Sequence, residues 1–272
     1  MAEINAKDVM ILRNRTGLSM MACKAAMVEG GGNLDKAEEI LRKQLKGKME
    51  TRLDRAAGEG RIGIHVKADN SGAGLVEVRA ETDFTAKNEQ FIAMVAKVAA
   101  SVADAPTGVV AVSPTIKAPI DELCMSTGEN CSLARAEKLA AAGKTTWGSY
   151  VHHDGKTGSL VQAEGDITVE VLRQICMHVV AAVPRPAGLS AAEVPAAIVE
   201  KERKFRIEQA IESGKPKEIA EKMVEGGMRK FFEEIALLEQ PFVMDPTKKV
   251  KDIVGPGAKL IAFRRWQVGE QA

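Results

Sequence analysis

The sequence predicts an α+β protein: an N-terminal three-helix bundle, then two repeated α+β core subdomains with antiparallel sheets, the second interrupted by a helical hairpin. Three features lead there. Glycines cut the first 47 residues into short apolar-periodic pieces, which is the pattern of small helices. The stretches "GIHVKADNSGAGLVEVRAETD" (63–83) and "GSYVHHDGKTGSLVQAEGD" (148–166) share one plan. Each has an extended run, a turn rich in Gly, Asp or Asn, a second extended run and Glu-x-Asp, and each is followed by an apolar helix. Residues 193–236 carry dense charge beside a narrow apolar stripe, as a protruding antiparallel helical hairpin does.

The first helix is expected over about Ala6 to Arg15, with Asn5 as its N-cap, Val9 and Leu12 on one face and Gly17 just past its end. Ser19 precedes the second, in "SMMACKAAMVEGGG", which the run Gly30 to Gly32 stops. Asn33 precedes the third, whose Leu34, Ala37, Leu41 and Leu45 recur at spacings of three or four before Gly47 ends it. This unit, 1–47, is small for independent stability and suits a module that docks onto something else. Residues 48–60, "KMETRLDRAAGEG", are charged with weak apolar periodicity and read as a linker.

The N-terminal core subdomain is expected over 61–118 and the C-terminal one over 119–192, continued by 237–272 after the inserted hairpin. "FIAMVAKVAASVA" follows the first repeat and "VEVLRQICMHVVAAV" the second, each able to cover one sheet face. "APTGVVAVSPTIKAP" (105–119) separates the halves. At "ETDFTAKNEQF" (81–91) a strand turns into a helix, where Thr82 or Asp83 can cap the orphan amides. "LARAEKLAAAGK" (133–144) is helical by propensity. In the hairpin, Gly214 stops one helix and Pro216 starts the next. Ile198, Phe205 and Ile211 are expected to line the first helix, and Ile219, Met223, Phe231 and Ile235 the second. "AKLIAFRRWQV" (258–268) reads as a final strand.

Composition bounds the function. With 272 residues, 45% hydrophobic and a net charge of +1, the chain lacks the basic excess of a dedicated nucleic-acid binder. Neither a signal-peptide pattern nor an apolar run near membrane-spanning length occurs, so a cytoplasmic location is expected. Cys23, Cys124, Cys131 and Cys176 show no Cys-x-x-Cys spacing and read as reduced, packed thiols. His152 and His153 are adjacent near a strand, where neighbours face opposite ways, so no metal site is expected. "GEGRIG" and "EGGGN" lack phosphate-loop or dinucleotide spacing, and no nucleophile motif appears. No catalytic residue, cofactor or metal is therefore assigned.

Seven stretches, in order, resemble one family. They are "LRNRTGLSMMACKAAMVEGGGNLDKAEEILRKQ", "ETDFTAKNEQF" with its Thr-Asp-Phe signature, "TGENCSLAR", "GSYVHH", "ICMHVVAAVP", "SGKPKEIAEKMVEGGMRKFFEE" and "QPFVMDP". Together they resemble the elongation factor Ts family over nearly the whole chain. The resemblance implies a guanine-nucleotide exchange factor for the translational GTPase elongation factor Tu. It likens the bundle to a ubiquitin-associated domain, makes 193–236 a coiled-coil hairpin and makes 133–144 a strand. By the same resemblance Asp83 and Phe84, on the corner that Thr82 begins, enter the partner's GTPase domain near its magnesium and phosphates. Met20, Met21 and Lys24 match contact positions in the bundle; Thr127, Gly128 and His152 match contacts in the core, as do Val243 and Met244 farther along. No membrane or direct nucleic-acid binding is implied, and a homodimer or a 2:2 complex with the partner stays open. The chain stops at Ala272, so the C-terminal helix of some members is expected to be missing.

Without the resemblance, several residues have a plainer alternative. Phe84 sits seven positions before Phe91 and favours a core place on its helix face, whereas the signature turns it outwards. Consecutive Met20 and Met21 cannot both face inwards, and at least one is expected in the bundle core. His178, between Met177 and Val179, reads as a satisfied core or interface histidine. A ribosome- or RNA-associated module would need a basic face; an enzyme with an unusual site would need a buried polar pocket.

Overall fold

A computed structural model describes residues 4–16, 18–50, 55–214 and 216–270. The expected stop at Gly17 and the middle of the expected linker lie outside them. The chain forms two compact units: Met1–His65 with Gly74–Lys138 and Val268–Ala272, and Val66–Ala73 with Leu139–Gln267.

In the first unit, α1 (Ala6–Thr16), α2 (Met20–Glu29) and α3 (Leu34–Glu50) form the bundle. Each begins on the cap that the sequence offers. Lys7 N–H donates to Asn5 Oδ1 at 3.0 Å, Ala22 N–H to Ser19 Oγ at 3.3 Å and Lys36 N–H to Asn33 Oδ1 at 3.0 Å. Val9, Leu12, Cys23, Ala26, Met27, Ala37 and Leu41 make the core between them. The third helix does not stop at Gly47 but continues to Glu50. A glycine inside a helix costs only about 1 kcal/mol, which the helix can absorb.

The chain then lays down β1 (Glu59–Val66), β2 (Gly72–Ala80), α4 (Asp83–Lys87), α5 (Glu89–Ala103), β3 (Gly108–Val109), α6 (Pro114–Thr127) and β4 (Cys131–Ala140). The strands form one sheet in the order β1-β2-β4-β3. Phe91, Val95, Val98 and Val102 of α5 are buried with Val76 and Val78 of β2. One element differs from the sequence expectation, and a second follows the resemblance against its local propensity. The separator 105–119 contains the start of α6, capped by Ser113, whose Oγ accepts from Ile116 N–H. Pro114 fits the first turn, where its missing N–H has no partner to lose, and Pro119 is carried inside the helix because Ile116, Ile120 and Leu123 are buried. Residues 133–140 are strand, as the resemblance implies, despite their helical propensity. Pairing and burial outweigh a preference worth a few tenths of a kcal/mol per residue.

Across that sheet Glu77, 1% exposed, accepts from Arg79 Nε at 2.5 Å and Arg135 Nε at 2.7 Å. Gly269 N–H adds a third bond to it at 3.0 Å.

The second unit holds β5 (Thr145–Val151), β6 (Thr157–Gly165), α7 (Val169–Ala181), α8 (Ala196–Glu212), α9 (Lys217–Ile235), β7 (Pro241–Phe242), β8 (Asp245–Lys249), α10 (Val250–Val254) and β9 (Ala258–Gln267). Strands β5, β6 and β9 make an antiparallel sheet with Val161 opposite both Gly148 and Phe263. Leu172, Ile175, Cys176 and Val179 of α7 pack in its core. The two copies of the sequence repeat use glycine alike. A Cβ on Gly63 would meet Val95 Cγ1 at 2.5 Å, and one on Gly148 would meet Leu172 Cβ at 2.4 Å. Each strand thus presses a bare backbone against its helix.

The hairpin corrects part of an expectation. Ile198, Phe205, Ile211, Ile219 and Met223 are exposed and Phe231 is half-buried, whereas Ile235 is buried as expected, together with Ala210 and Met228.

Candidate functional site

Two turns of the first unit come together at the end of β2. Thr82 is the N-cap of α4, with φ −122° and ψ 156°, and its Oγ1 accepts from Thr85 N–H at 3.3 Å. Thr82 in turn donates twice to Glu129: its N–H reaches Oε2 at 3.2 Å and its hydroxyl reaches Oε1 at 2.8 Å. Glu81 answers from the other side, accepting Asn130 N–H at 2.7 Å. Asn130 Nδ2 holds the Arg55 carbonyl at 2.9 Å, and Arg55 Nη1 lies 3.4 Å from Glu81 Oε2. Bonds to a carboxylate are the stronger kind. Four of these connect residues far apart in sequence, so the corner is fixed from outside as well as by its own cap.

On that corner Thr85 and Ala86 point inwards, and Phe84 is 82% exposed. The core place open to Phe84 is taken by Phe91, which is fully buried. Asp83 pairs with Lys87 at 2.6 Å, one turn along α4.

The Glu129 side of the clasp is the exit from α6. Gly128 takes φ 72°, a left-handed conformation that glycine adopts freely, and its N–H returns to Cys124 O at 2.8 Å. Thr127 Oγ1 donates to Leu123 O at 2.9 Å and accepts from Glu129 N–H at 3.3 Å. Gly128 therefore sits one residue, and Thr127 two residues, from the carboxylate that grips Thr82.

In the bundle, Met20 is 41% exposed and Met21 76% exposed, and Lys24 is exposed one turn on. The expectation that one methionine enters the core is not met, because Cys23, Ala26 and Met27 fill that face of α2. Three neighbouring side chains of α2 thus offer flexible apolar surface beside a cation.

The second unit carries the other candidates. His152 follows β5 in a tight turn, its N–H donating to Thr157 O at 2.8 Å. Its Nδ1 lies 3.2 Å from Asp154 Oδ1 and its ring 4.1 Å from that of His153. The two rings do not face opposite ways as a regular strand would place them, because the strand ends at Val151. Val243 and Met244, 41% and 47% exposed, form the turn between β7 and β8.

A buried histidine sets that turn. His178, 1% exposed, accepts Val243 N–H on Nδ1 at 3.2 Å, so its proton is on Nε2, 3.0 Å from Gln240 Oε1. Gln240 Nε2 donates to Pro184 O at 2.9 Å and Glu234 O at 2.6 Å. Phe242 stacks on the imidazole at 5.8 Å. Burial holds the His178 pKa below its usual value, with the Gln240 bond opposing. His178, Val183, Pro184, Gln240, Val243 and Lys249 border an open cleft of about 640 Å³.

Glu129, Glu81 and His178 position the candidate residues, yet the first two were not singled out from sequence. Glu129 stands inside "TGENCSLAR", but its partner lies 47 residues away, and no local pattern names it. Among the described residues no group of His, Cys, Asp or Glu could hold a metal ion, and no helix is long and apolar enough to cross a membrane.

Comparison with known proteins agrees with this architecture. A family described as elongation factor TS matches residues 81–270. The chain is 44% identical to elongation factor Ts of Neisseria meningitidis serogroup C (strain FAM18), covering 99% of this chain and 93% of that protein. It is 40% identical to elongation factor Ts of Thioalkalivibrio sulfidiphilus, covering 98% and 92%, and 38% identical to that of Nitratiruptor sp., covering 98% and 93%.

Proposed function

The chain belongs to the elongation factor Ts family, and from that premise we propose that it binds elongation factor Tu carrying GDP and speeds release of the nucleotide. The observation that carries this is Phe84: a large apolar side chain, 82% exposed, on a corner locked by Thr82, Glu129 and Glu81. A monomer gains nothing from holding a phenylalanine in water on so rigid a mount; a partner with a matching pocket does.

The chain forms no bond with the nucleotide under this proposal. It binds best to the partner conformation that holds GDP poorly, and GDP must weaken its binding by the same factor. Asp83 brings a carboxylate beside Phe84, where it competes with phosphate oxygens for magnesium and repels the phosphates themselves. Burying one Phe is worth about 1.5–3 kcal/mol, whereas a thousandfold faster release needs roughly 4 kcal/mol off the barrier. The remainder comes from contacts away from the nucleotide: Met20, Met21 and Lys24 on α2, Thr127 and Gly128, His152, and the Val243–Met244 turn. Methionine pairs are suited to this because their side chains adapt to irregular surfaces, and binding energy gained at a distance can be applied to distorting a site.

The test is the release rate of a fluorescent GDP analogue from the cognate elongation factor Tu, alone, with this protein, and with a folded Phe84→Ala variant. Acceleration by the wild type that falls at least tenfold in the variant supports the proposal. No acceleration by the folded wild type overturns it.

A further inference from the structure

Val183, just past the end of α7, is 95% exposed, more than any other large apolar side chain among the described residues. A lone exposed valine would mean little, since much of any protein surface is apolar. This one is held in place. Ala182 N–H donates to His178 O at 2.8 Å and Gln240 Nε2 donates to Pro184 O at 2.9 Å, so the backbone is pinned on both sides of it. The proline that follows also confines Val183 to extended backbone. The same two buried side chains reach the turn between β7 and β8. His178 Nε2 bonds to Gln240 Oε1 at 3.0 Å, and His178 Nδ1 accepts Val243 N–H at 3.2 Å. Val183 and the Val243–Met244 turn are therefore mounted on one relay, and Val183 and Val243 border the same cleft of about 640 Å³. Pro184 and Pro241 line it as well, while Lys230, Glu233 and Lys249 bring charge to it.

We infer that Val183 is a further contact residue for elongation factor Tu, forming with Val243 and Met244 one apolar surface that receives an apolar side chain of the partner at the mouth of this cleft. The inference rests on the exchange reading above, in which Val243 and Met244 are contacts, and extends that surface to a residue tied to the same relay. An apolar centre with charged residues around it is the usual build of a protein contact surface. A short side chain on pinned backbone also has little freedom to lose on binding, so most of the gain from burying it is kept. The sequence conceals this role, because in "ICMHVVAAVP" Val183 reads as the last member of an apolar helix. In the structure the helix ends at Ala181, and Val183 leaves the core that Val179 enters.

The test titrates the full-length chain into nucleotide-free elongation factor Tu by calorimetry, as wild type, Val183→Asp, Val183→Ser and Val183→Leu. The Asp and Ser variants should bind about tenfold more weakly or worse, which is what losing one buried valine contact is worth. Val183→Leu should bind like the wild type. Melting temperatures should agree, because the side chain stands in water; if Val183→Asp melts lower, Val183→Ser decides. In the GDP-release assay the Asp and Ser variants should need about tenfold more protein for half-maximal acceleration and reach the same maximum, as removal of a contact made equally before and during release requires. Equal affinity of wild type, Val183→Asp and Val183→Ser overturns this inference alone. A folded wild type that does not bind elongation factor Tu overturns the exchange reading and this inference together. Sedimentation of the chain by itself tests the other occupant: a wild-type dimer that Val183→Asp dissociates, with affinity for elongation factor Tu unchanged, would overturn the inference and assign the surface to a second copy of this chain.

Discussion

Glu129 receives both the backbone N–H and the hydroxyl of Thr82, at 3.2 and 2.8 Å, across 47 residues of chain. The exit of α6 and the cap of α4 are thereby one construction. A hydrogen bond to a charged group contributes about 1.5–3 kcal/mol. Glu129→Gln keeps the shape and removes the charge, so one of the two bonds should weaken severely. Local opening at the corner should become easier by about 2 kcal/mol, and amide exchange at Thr82 roughly thirtyfold faster. Exchange by NMR checks this directly, and an unchanged Thr82 rate would show that the cap alone holds the corner. GDP release should slow in the same variant while its melting temperature changes little.

His178 gives stability a pH dependence whose sign is fixed by its environment. Its folded pKa is lowered, chiefly by burial, and Nδ1 can accept Val243 N–H only while unprotonated. Lys230, Glu233, Glu234 and Lys249 line the same cleft, while Gln240 and Phe242, which touch the ring, are neutral. An unfolded histidine takes its proton near pH 6.5 and the folded one only below that. As pH falls below about 6.5 the unfolded chain therefore binds more protons, and the histidine's contribution is lost, by no more than about 1.4 kcal/mol per pH unit. Urea midpoints at about pH 7.5 and about pH 5.5 should separate for the wild type, and the gap should narrow in His178→Gln. An equal gap in both proteins would assign the dependence to other groups.

The parts of this fold that could be read from sequence are those set by neighbours along the chain. Asn5, Ser19 and Asn33 announce the bundle helices because a cap needs only the next three residues. The repeated hairpins are visible because Gly63 and Gly148 open matching runs. What was hidden depends on distant residues. Pro114 and Pro119 conceal α6, which tertiary burial of Ile116 and Ile120 maintains. Residues 133–140 carry helix-forming side chains and are strand because a sheet accepts them. In the hairpin, five of the large apolar residues expected to line it are exposed, while the small Ala210 is buried. At the site the same division holds: Thr82 as a cap is local, and Glu129 as its anchor is not.

Glu77 makes a strong demand on the first unit. Its carboxylate is 1% exposed, whereas its partners Arg79 and Arg135 are 21% and 19% exposed. Removing one member of a buried charge group costs about 3–5 kcal/mol because the others are left uncompensated. These guanidinium groups can partly recover water, so Glu77→Ala should cost about 3 kcal/mol, the lower end of that range. The third bond, from Gly269 N–H at 3.0 Å, is lost in the same step. Urea unfolding measures the difference. A loss within about 0.5 kcal/mol, as for an ordinary surface change, would mean that the arginines are satisfied without the carboxylate.

Gly63 and Gly148 stand at the same place in the two repeats, and the same substitution should separate them. At Gly148 a Cβ would meet the backbone of α7, with Leu172 C at 2.6 Å and O at 2.8 Å, in addition to Leu172 Cβ. At Gly63 the nearest atoms are the side-chain methyls Val95 Cγ1 at 2.5 Å and Val76 Cγ2 at 2.9 Å, with Val95 O at 3.1 Å. A methyl group can be displaced by a rotamer change, whereas a helix backbone must move as a body. Overpacking typically costs about 1–3 kcal/mol, so Gly63→Ala should fall near the bottom of that range and Gly148→Ala at its top or above. The mechanism predicts a rescue as well. Val95→Ala removes the obstructing methyls, so in the Gly63→Ala background it should cost less than it does alone, by about 1 kcal/mol of coupling. Leu172→Ala should give no such relief to Gly148→Ala, because alanine retains the Cβ and the backbone that block it. Equal costs at the two glycines, or additive behaviour of Gly63→Ala with Val95→Ala, would show that the strands stand off their helices farther than the packing described.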